Sequence, residues 1–469
     1  MIFSELPFFA FFLVYLIFHF IVPTRYRIYL IIAGSTFFYA WWRITDVWVP
    51  FVLAIAAWCG VRWFEAADDR SSRRWRLTAT ICVLFAPLII VKYAYFVSHD
   101  ILGLVPGLRA AFGDVSFLKF TLPLGISFIT FTLTAYVVDV YTGRYNSSER
   151  ISTVLGYVLF FPHLIAGPIL RPQELLPQLR AQRSATGARF ALGIAIFTMG
   201  LVKKLIFADT ISEAVDPVFA PNSVATGWEY LLAFYGFSMQ IYCDFSGYTD
   251  MAIGLAYILR IRLPTNFVHP YTSGSITEFW RRWHITLSHW LRDYLYIPLG
   301  GNRQGDARRI ANLLITMVLG GLWHGANITF LVWGFMHGAA LAISHLLRKP
   351  MQRLRITIPK WLAVLLTFHF VSIGWIYFRA PDIAIAHKVL TAPFSASWVN
   401  PASFVQGNLF PLLLLIVFFA THRLDRHARL RLVLRTAHMS IVWAVIACLW
   451  ILAIAMRQGS SAKFIYFDF

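Results

Sequence analysis

Apolar segments close to twenty residues long recur along this whole chain, and their spacing restricts the possible fold more than any single motif does. They run at roughly 6–22, 26–42, 47–64, 77–97, 116–140, 186–207, 225–243, 310–325, 326–347, 361–378, 407–421 and 440–456. A helix needs roughly 20 apolar residues to cross the hydrocarbon core of a bilayer. Charged residues make up only 13% of the chain, against about 25% in a soluble protein. The pattern predicts an all-α polytopic membrane protein of about ten to twelve spans. Gly and polar interruptions turn some of these into re-entrant pieces. A β-barrel is disfavoured, because no series of alternating segments about ten residues long is present.

The first apolar segment follows Met1 to Glu5, without a basic stretch before it or a small-residue cleavage site after it. It reads as a retained span rather than a signal peptide. The net charge of +19 raises the question of nucleic acid. The arginines instead cluster in short loops between spans: Arg25 and Arg27; Arg70, Arg73, Arg74 and Arg76; Arg348, Arg353 and Arg355; and Arg423 through Arg435. That is the positive-inside pattern of a multi-pass membrane protein. It places these loops in the cytoplasm and both the N-terminus and the tail Arg457 to Phe469 outside. The expected partner is the lipid bilayer and not nucleic acid. The polar stretches near 98–115, 141–150, 171–185 and 379–406 are too short to fold alone, so residues 1–469 form a single integral membrane domain. The four cysteines, Cys59, Cys82, Cys243 and Cys448, encode neither a disulfide framework nor a CxxC metal site.

Two regions depart from plain hydropathy. Ser275-Ile276-Thr277-Glu278 has the form of a capping box, so a helix should begin near Ile276 and end at Pro298-Leu299-Gly300-Gly301. Along it Trp280, His284, Leu287, Leu291 and Tyr294 share one face, giving an amphipathic helix with His284 on its apolar stripe. The second region is the apolar run Ile310 to Leu347, flanked by Arg308-Arg309 and Arg348-Lys349. It reads as a hairpin of two helices with His324 near the turn, on the order of 20 Å from Arg309 at helical rise. A titratable imidazole at membrane depth is costly and is read first as functional. Glycines on both sides of His324 permit close approach of a backbone or a substrate.

The other histidines are less distinctive. His345, His387, His422, His427 and His438 lie at span ends or in loops beside basic residues and should be solvated or interfacial. His19, His337 and His369 read as satisfied core histidines. His163, in Phe161-Pro162-His163-Leu164-Ile165-Ala166-Gly167-Pro168, sits between prolines that imply a broken or re-entrant segment. Asp244 and Asp250 form either a polar turn between two apolar segments or a wall of the same cavity. No phosphate-cradling loop, nucleophile elbow or HExxH run is present. His284 and His289 are spaced poorly for a shared metal, and no metal ion is expected.

The central run Ser275-Ile276-Thr277-Glu278-Phe279-Trp280-Arg281-Arg282-Trp283-His284 continues through Trp290-Leu291-Arg292-Asp293-Tyr294-Leu295-Tyr296 to Pro298-Leu299-Gly300-Gly301-Asn302-Arg303. With Trp323-His324-Gly325-Ala326-Asn327 it resembles the membrane-bound O-acyltransferase (MBOAT) family, in its bacterial alginate O-acetylation (AlgI-like) branch. Phe161 to Pro168, Asp244 to Asp250, Asn266-Phe267 with Pro270-Tyr271, and Phe38-Tyr39-Ala40-Trp41-Trp42 fit the same branch; Cys243 and His289 depart from it.

This resemblance implies a ring of spans and amphipathic helices around a central channel. His324 matches the family's embedded catalytic histidine and His284 a second functional one. Trp323, Asn327, Asp293, Arg282 and His163 count as supporting or channel-lining positions. The implied reaction is transfer of an acetyl group to oxygen, with His324 as general base. His284, helped by Asn327, would orient the acceptor or stabilise the transition state. A hydroxyl is a poor nucleophile until its proton is taken, and imidazole titrates near neutrality. The resemblance further implies an acetyl thioester such as acetyl-CoA as donor, no bound cofactor, and partners among periplasmic acetyltransferases and polysaccharide synthesis or secretion proteins. Peptidoglycan O-acetylation and D-alanyl transfer to teichoic acid are competing enzyme readings. A transporter or flippase would account for the spans but not for the run from Ser275 to Arg303.

Overall fold

The computed structural model describes residues 1–104, 115–146, 149–181, 187–398, 400–456 and 465, and the regular secondary structure among them is helical. Among the described residues, five helices are long and apolar enough to cross a membrane: Ile44–Glu65, Arg70–Ile101, Arg189–Phe219, Ile328–Arg353 and Lys360–Arg379. Pro401–Gly407 and Leu409–Leu424 form a sixth candidate, bent by 81°. Leu6–Ile21, Ile126–Tyr141, Ile383–Phe394 and Met439–Ala455 are apolar but only 10–17 residues long. Straight helices of that length cover about 15–26 Å, less than a hydrocarbon core of about 30 Å. They cross fully only where the bilayer thins or flanking side chains reach its surface. The C-terminal tail, apart from Ile465, and most of the 98–115 loop lie outside the described residues.

The chain forms two compact units. The first comprises residues 1–194 and 252–264. Its helices are α1 (Leu6–Ile21), α2 (Arg27–Ala40), α3 (Trp48–Glu65), α4 (Arg70–Tyr95), α5 (Ile126–Tyr141), α6 (Ile151–Leu159) and α7 (Pro172–Arg180). Asp69 starts α4 by accepting the Ser72 N–H at 2.8 Å. A Cβ on Gly60 of α3 would lie 2.3 Å from the Thr80 side chain of α4, so only a bare backbone lets the two helices pack this closely. Polar groups in the interior find carbonyls: the Tyr39 hydroxyl donates to Leu124 at 2.9 Å and the Trp58 indole to Glu149 at 3.0 Å. With little water available at membrane depth, such pairing is favoured.

The second unit comprises residues 195–251 and 265–469. α8 (Gly187–Val202) is divided evenly between the two units, and α9 (Gly227–Ile258) belongs mostly to the second. After them come α10 (Ile276–Trp280), α11 (Ile285–Leu291), α12 (Gly305–His324), α13 (Ile328–Arg353) and α14 (Lys360–Arg379). Beyond these lie α15 (Leu409–Thr421), α16 (His427–Thr436) and α17 (Met439–Ala455).

Three expectations change here. The single amphipathic helix from Ile276 to Pro298 is broken into α10, α11 and a π-turn at Arg292–Tyr296. The Ser275 cap is present, with its hydroxyl accepting the Glu278 N–H at 3.2 Å, but His284 adopts φ +42° and interrupts the helix. Asp244 and Asp250 are not in a turn. They lie within α9, where Asp250 meets Lys203 and Asp244 meets Lys204, at 2.7 and 2.8 Å. His422, expected at a solvated span end, is buried and accepts the Tyr271 N–H at 3.2 Å.

The lysines belong to a buried charge network at the π-turn Lys203–Ala208 that follows α8. Lys203 also pairs with Asp425 at 2.5 Å, Asp425 accepts the Tyr242 hydroxyl at 2.5 Å, and His427 meets Asp250 at 2.7 Å. Lys204 adds Asp209 at 2.8 Å.

Candidate active site

α12 and α13 form the anticipated hairpin, and their contact is backbone against backbone. A Cβ on Gly321 would stand 2.2 Å from the Phe330 carbonyl oxygen, and one on Gly334 would stand 2.4 Å from that of Met317. Dispersion and shape drive helix association in an apolar medium, which favours small residues at such crossings. The turn between the helices is short because Asn327 caps α13. Its Oδ1 accepts the Thr329 N–H at 3.0 Å, and its Nδ2 donates to the Pro381 carbonyl at 2.8 Å. Asn327 thus holds the turn to the segment that follows α14.

His324 is the last residue of α12 and is 4% exposed. Three aromatic rings enclose it: Trp323 at 5.0 Å, Trp333 at 5.2 Å and Phe378 at 5.1 Å between centroids. Trp333 and Phe378 meet it edge to face, at 87° and 71°. Neither was singled out in the sequence, since a Trp or Phe in an apolar helix carries no motif.

His284 is fully buried and precedes α11 as its cap. Its left-handed backbone is held from outside the helix. Asn266 accepts the Ile285 N–H through its carbonyl at 3.0 Å, and its side-chain oxygen accepts the Thr286 N–H at 3.1 Å and hydroxyl at 2.9 Å. Val268 donates to the Arg282 carbonyl at 2.9 Å. The His284 Nδ1 accepts the Leu287 N–H at 3.4 Å, while Nε2 has no hydrogen-bond partner among the described residues. A neutral ring bonded in this way carries its proton on Nε2 and presents a donor. Trp323 joins the two histidines in one aromatic cluster, its ring 6.2 Å from His284 and 5.0 Å from His324.

The remaining candidates are placed differently. Arg282 binds Glu278, the Thr272 hydroxyl at 2.8 Å and the His269 Nδ1 at 3.2 Å, bracing the loop before α10. Asp293 is engaged by the neighbouring Arg292 at 2.6 and 3.1 Å. His163 lies in the first unit, buried, with Nε2 donating to the Tyr157 carbonyl at 2.7 Å. His337, read as a core histidine, packs on Trp333 at 4.8 Å and accepts the Trp280 indole N–H at 3.3 Å.

An enclosed imidazole at the end of a helical hairpin, clustered with a second through Trp323, is the kind of arrangement that general acid–base chemistry uses. Residues 150–380 match the membrane-bound O-acyltransferase family, a stretch that contains both histidines. The chain is 40% identical to the probable alginate O-acetylase AlgI of Azotobacter vinelandii over 433 residues, covering 90% of this chain and 85% of that one. It is 36% identical to the peptidoglycan O-acetyltransferase of Helicobacter pylori, covering 66% and 70%. It is 30% identical to the teichoic acid D-alanyltransferase of Bacillus subtilis, covering 54% and 68%. The chain belongs to the membrane-bound O-acyltransferase family, and is a multi-pass membrane O-acyltransferase.

Proposed function

We propose that this enzyme takes acetyl groups from a cytoplasmic thioester, acetyl-CoA, and delivers them across the bacterial inner membrane to a system that O-acetylates an extracytoplasmic polysaccharide such as alginate. The observation that carries this reading is the pairing of His324, in its aromatic enclosure, with similarity to an alginate O-acetylase along 90% of the chain. The peptidoglycan and teichoic acid relatives cover less of the chain, at lower identity. His324 takes the proton of the acceptor hydroxyl as its oxygen attacks the thioester carbonyl. The tetrahedral oxyanion accepts a hydrogen bond from the His284 Nε2–H. The C–S bond then breaks, the ester remains on oxygen, and the imidazolium returns its proton to the thiolate. Trp323 and Asn327 position the two rings and the turn. The acceptor hydroxyl is one carried by a periplasmic acetyltransferase, whose O-acetyl ester is then the donor used beside polysaccharide synthesis and secretion proteins.

The test is purified protein in proteoliposomes supplied with acetyl-labelled acetyl-CoA and an acceptor oligosaccharide, with and without a periplasmic transferase. Label on an acceptor oxygen, lost in His324→Ala at normal membrane insertion, supports the proposal. Unchanged transfer by His324→Ala, or movement of unmodified solute without transfer, overturns it.

A further inference from the structure

The first unit contains a cavity of about 370 Å3 lined by none of the residues assigned to acyl transfer above. Four arginines line it, Arg27, Arg189, Arg260 and Arg262, beside the apolar Ile31 and Leu259. No acidic residue lines it among the described residues. Its size falls within the roughly 300–1,000 Å3 of small-ligand sites.

The arginines come from separate parts of the chain and are held in place. Arg27 begins α2, and its Nε donates to the Val22 carbonyl at 3.3 Å. Gln178 of α7 clamps the Arg262 backbone, donating to its carbonyl and accepting its N–H, both at 2.9 Å. Arg260 terminates α9 at φ +71°. There the Ile261 N–H reaches back to the Ala256 carbonyl at 2.8 Å and the Arg260 N–H to Tyr257 at 3.1 Å. This is the helix ending that glycine normally occupies, because a Cβ is strained in the left-handed region. The chain places a guanidinium at a position where glycine would relax the backbone. Burial, and after it the charges of Arg189 and Arg27, lower the Arg260 pKa from its ordinary value. Like charges gathered without a lining carboxylate repel one another, and an anion relieves that repulsion. The positive-inside bias puts the Arg25–Arg27 loop at the cytoplasmic surface, where anionic headgroups and soluble phosphates are both at hand.

We propose that this cavity binds a phosphate-bearing anion, its oxygens held by Arg27, Arg189, Arg260 and Arg262, with Ile31 and Leu259 against the less polar part of the ligand. Guanidinium groups suit this task because their paired N–H donors match phosphate oxygens bidentately. The phosphate belongs either to an anionic phospholipid or to a soluble nucleotide, and binding separates the two.

The experiment uses full-length protein in a neutral detergent and follows thermal unfolding and equilibrium binding. One arm adds phosphatidylglycerol, with phosphatidylcholine as its control; the other adds adenosine 3′,5′-bisphosphate. At least one of the two anions should raise the unfolding temperature saturably, and the arm that responds names the source. Arg189→Gln should weaken that binding roughly ten- to hundredfold. Arg260→Gly should unfold at the same or a higher temperature without ligand, yet lose most of the ligand-induced rise. No rise with either anion, an equal rise with phosphatidylcholine, or a full rise in both variants overturns the proposal. None of these readouts requires acetyl transfer, so the result stands apart from the fate of the acyl-transfer reading.

Discussion

His284 caps the helix that follows it, its Nδ1 accepting the Leu287 N–H at 3.4 Å from a backbone held at φ +42°. One bond therefore sets two properties. It anchors the start of α11, and it leaves the ring proton on Nε2, the nitrogen without a partner among the described residues.

His284→Asn separates those properties. Asparagine tolerates the left-handed region and is a good cap, so the fold should survive with little change in unfolding temperature. It does not carry an N–H to the Nε2 position. Loss of one oxyanion donor typically costs about 10²–10³ in kcat, and a fall of that order is expected in the labelled acetyl-transfer assay. Near-normal kcat in a well-folded His284→Asn protein would show that the histidine serves as a cap alone.

His324 and His337 should respond in opposite ways although both are buried against Trp333. His324→Gln removes the base and should lower acetyl transfer by about 10²–10⁴ at unchanged stability. His337→Leu leaves the Trp280 indole N–H without its acceptor, and should cost about 1–3 kcal/mol of stability while most of kcat is kept. Turnover and thermal unfolding of both variants decide this, and equal losses of turnover would sink the assignment.

The hairpin around His324 and its Gly-rich crossing were legible in the sequence because the signal is local: basic flanks, one apolar run, and glycines beside the turn. The break at His284 was not legible, because the Ser275 cap and the helical spacing from Trp280 to Tyr294 support a continuous helix. The interruption is stabilised instead by Asn266, twenty residues before Thr286 in the chain. Asp244 and Asp250 looked like a polar break for a related reason. Their partners Lys203, Lys204 and His427 arrive from other segments, and hydropathy does not register charges neutralised across the fold. His422 followed the same pattern, its basic neighbours in sequence masking a burial set by Tyr271 and Tyr242. Of the arginines around the first-unit cavity, only Arg27 carries a sequence signal, one of topology, since their gathering depends on the fold.

Gly321→Ala tests the hairpin directly. A methyl group there would meet the Phe330 carbonyl, a backbone atom that cannot turn aside, so about 1–3 kcal/mol of destabilisation is expected. Gly274→Ala is the control, because its nearest neighbours lie 3.7 Å away; its effect should stay within about 0.5 kcal/mol. Thermal unfolding of the two proteins in the same detergent checks the contrast, and similar melting temperatures would disprove it.

His269 should make stability pH-dependent. It lies in the loop before α10, where burial, then Arg426 and Arg282, lower its pKa from the ordinary value. Between that lowered value and the unfolded histidine value of about 6.5, the unfolded chain binds more protons than the folded one. This contribution is therefore fully present above about pH 6.5 and is lost as pH falls through that window. His269→Asn, which also suits the local φ of +32°, should flatten the slope of unfolding temperature against pH between about pH 5 and pH 7. An unchanged slope would assign the acid sensitivity to other groups.

Lys203 tests whether the buried network is one unit. It meets Asp250 and Asp425 at 2.7 and 2.5 Å, with His427 and Tyr242 completing their shells. Lys203→Met leaves two buried carboxylates facing each other without their shared cation, and removing one partner of such a pair typically costs about 3–5 kcal/mol. Asp425→Asn alone leaves Lys203 paired with Asp250 and should cost less. In the double variant the remaining carboxylate keeps His427, so much of the loss should return. A double-mutant cycle should then give a coupling of about 1–3 kcal/mol. If the two substitutions instead add without coupling, Lys203 and Asp425 act independently, and their closeness in the fold has no energetic meaning.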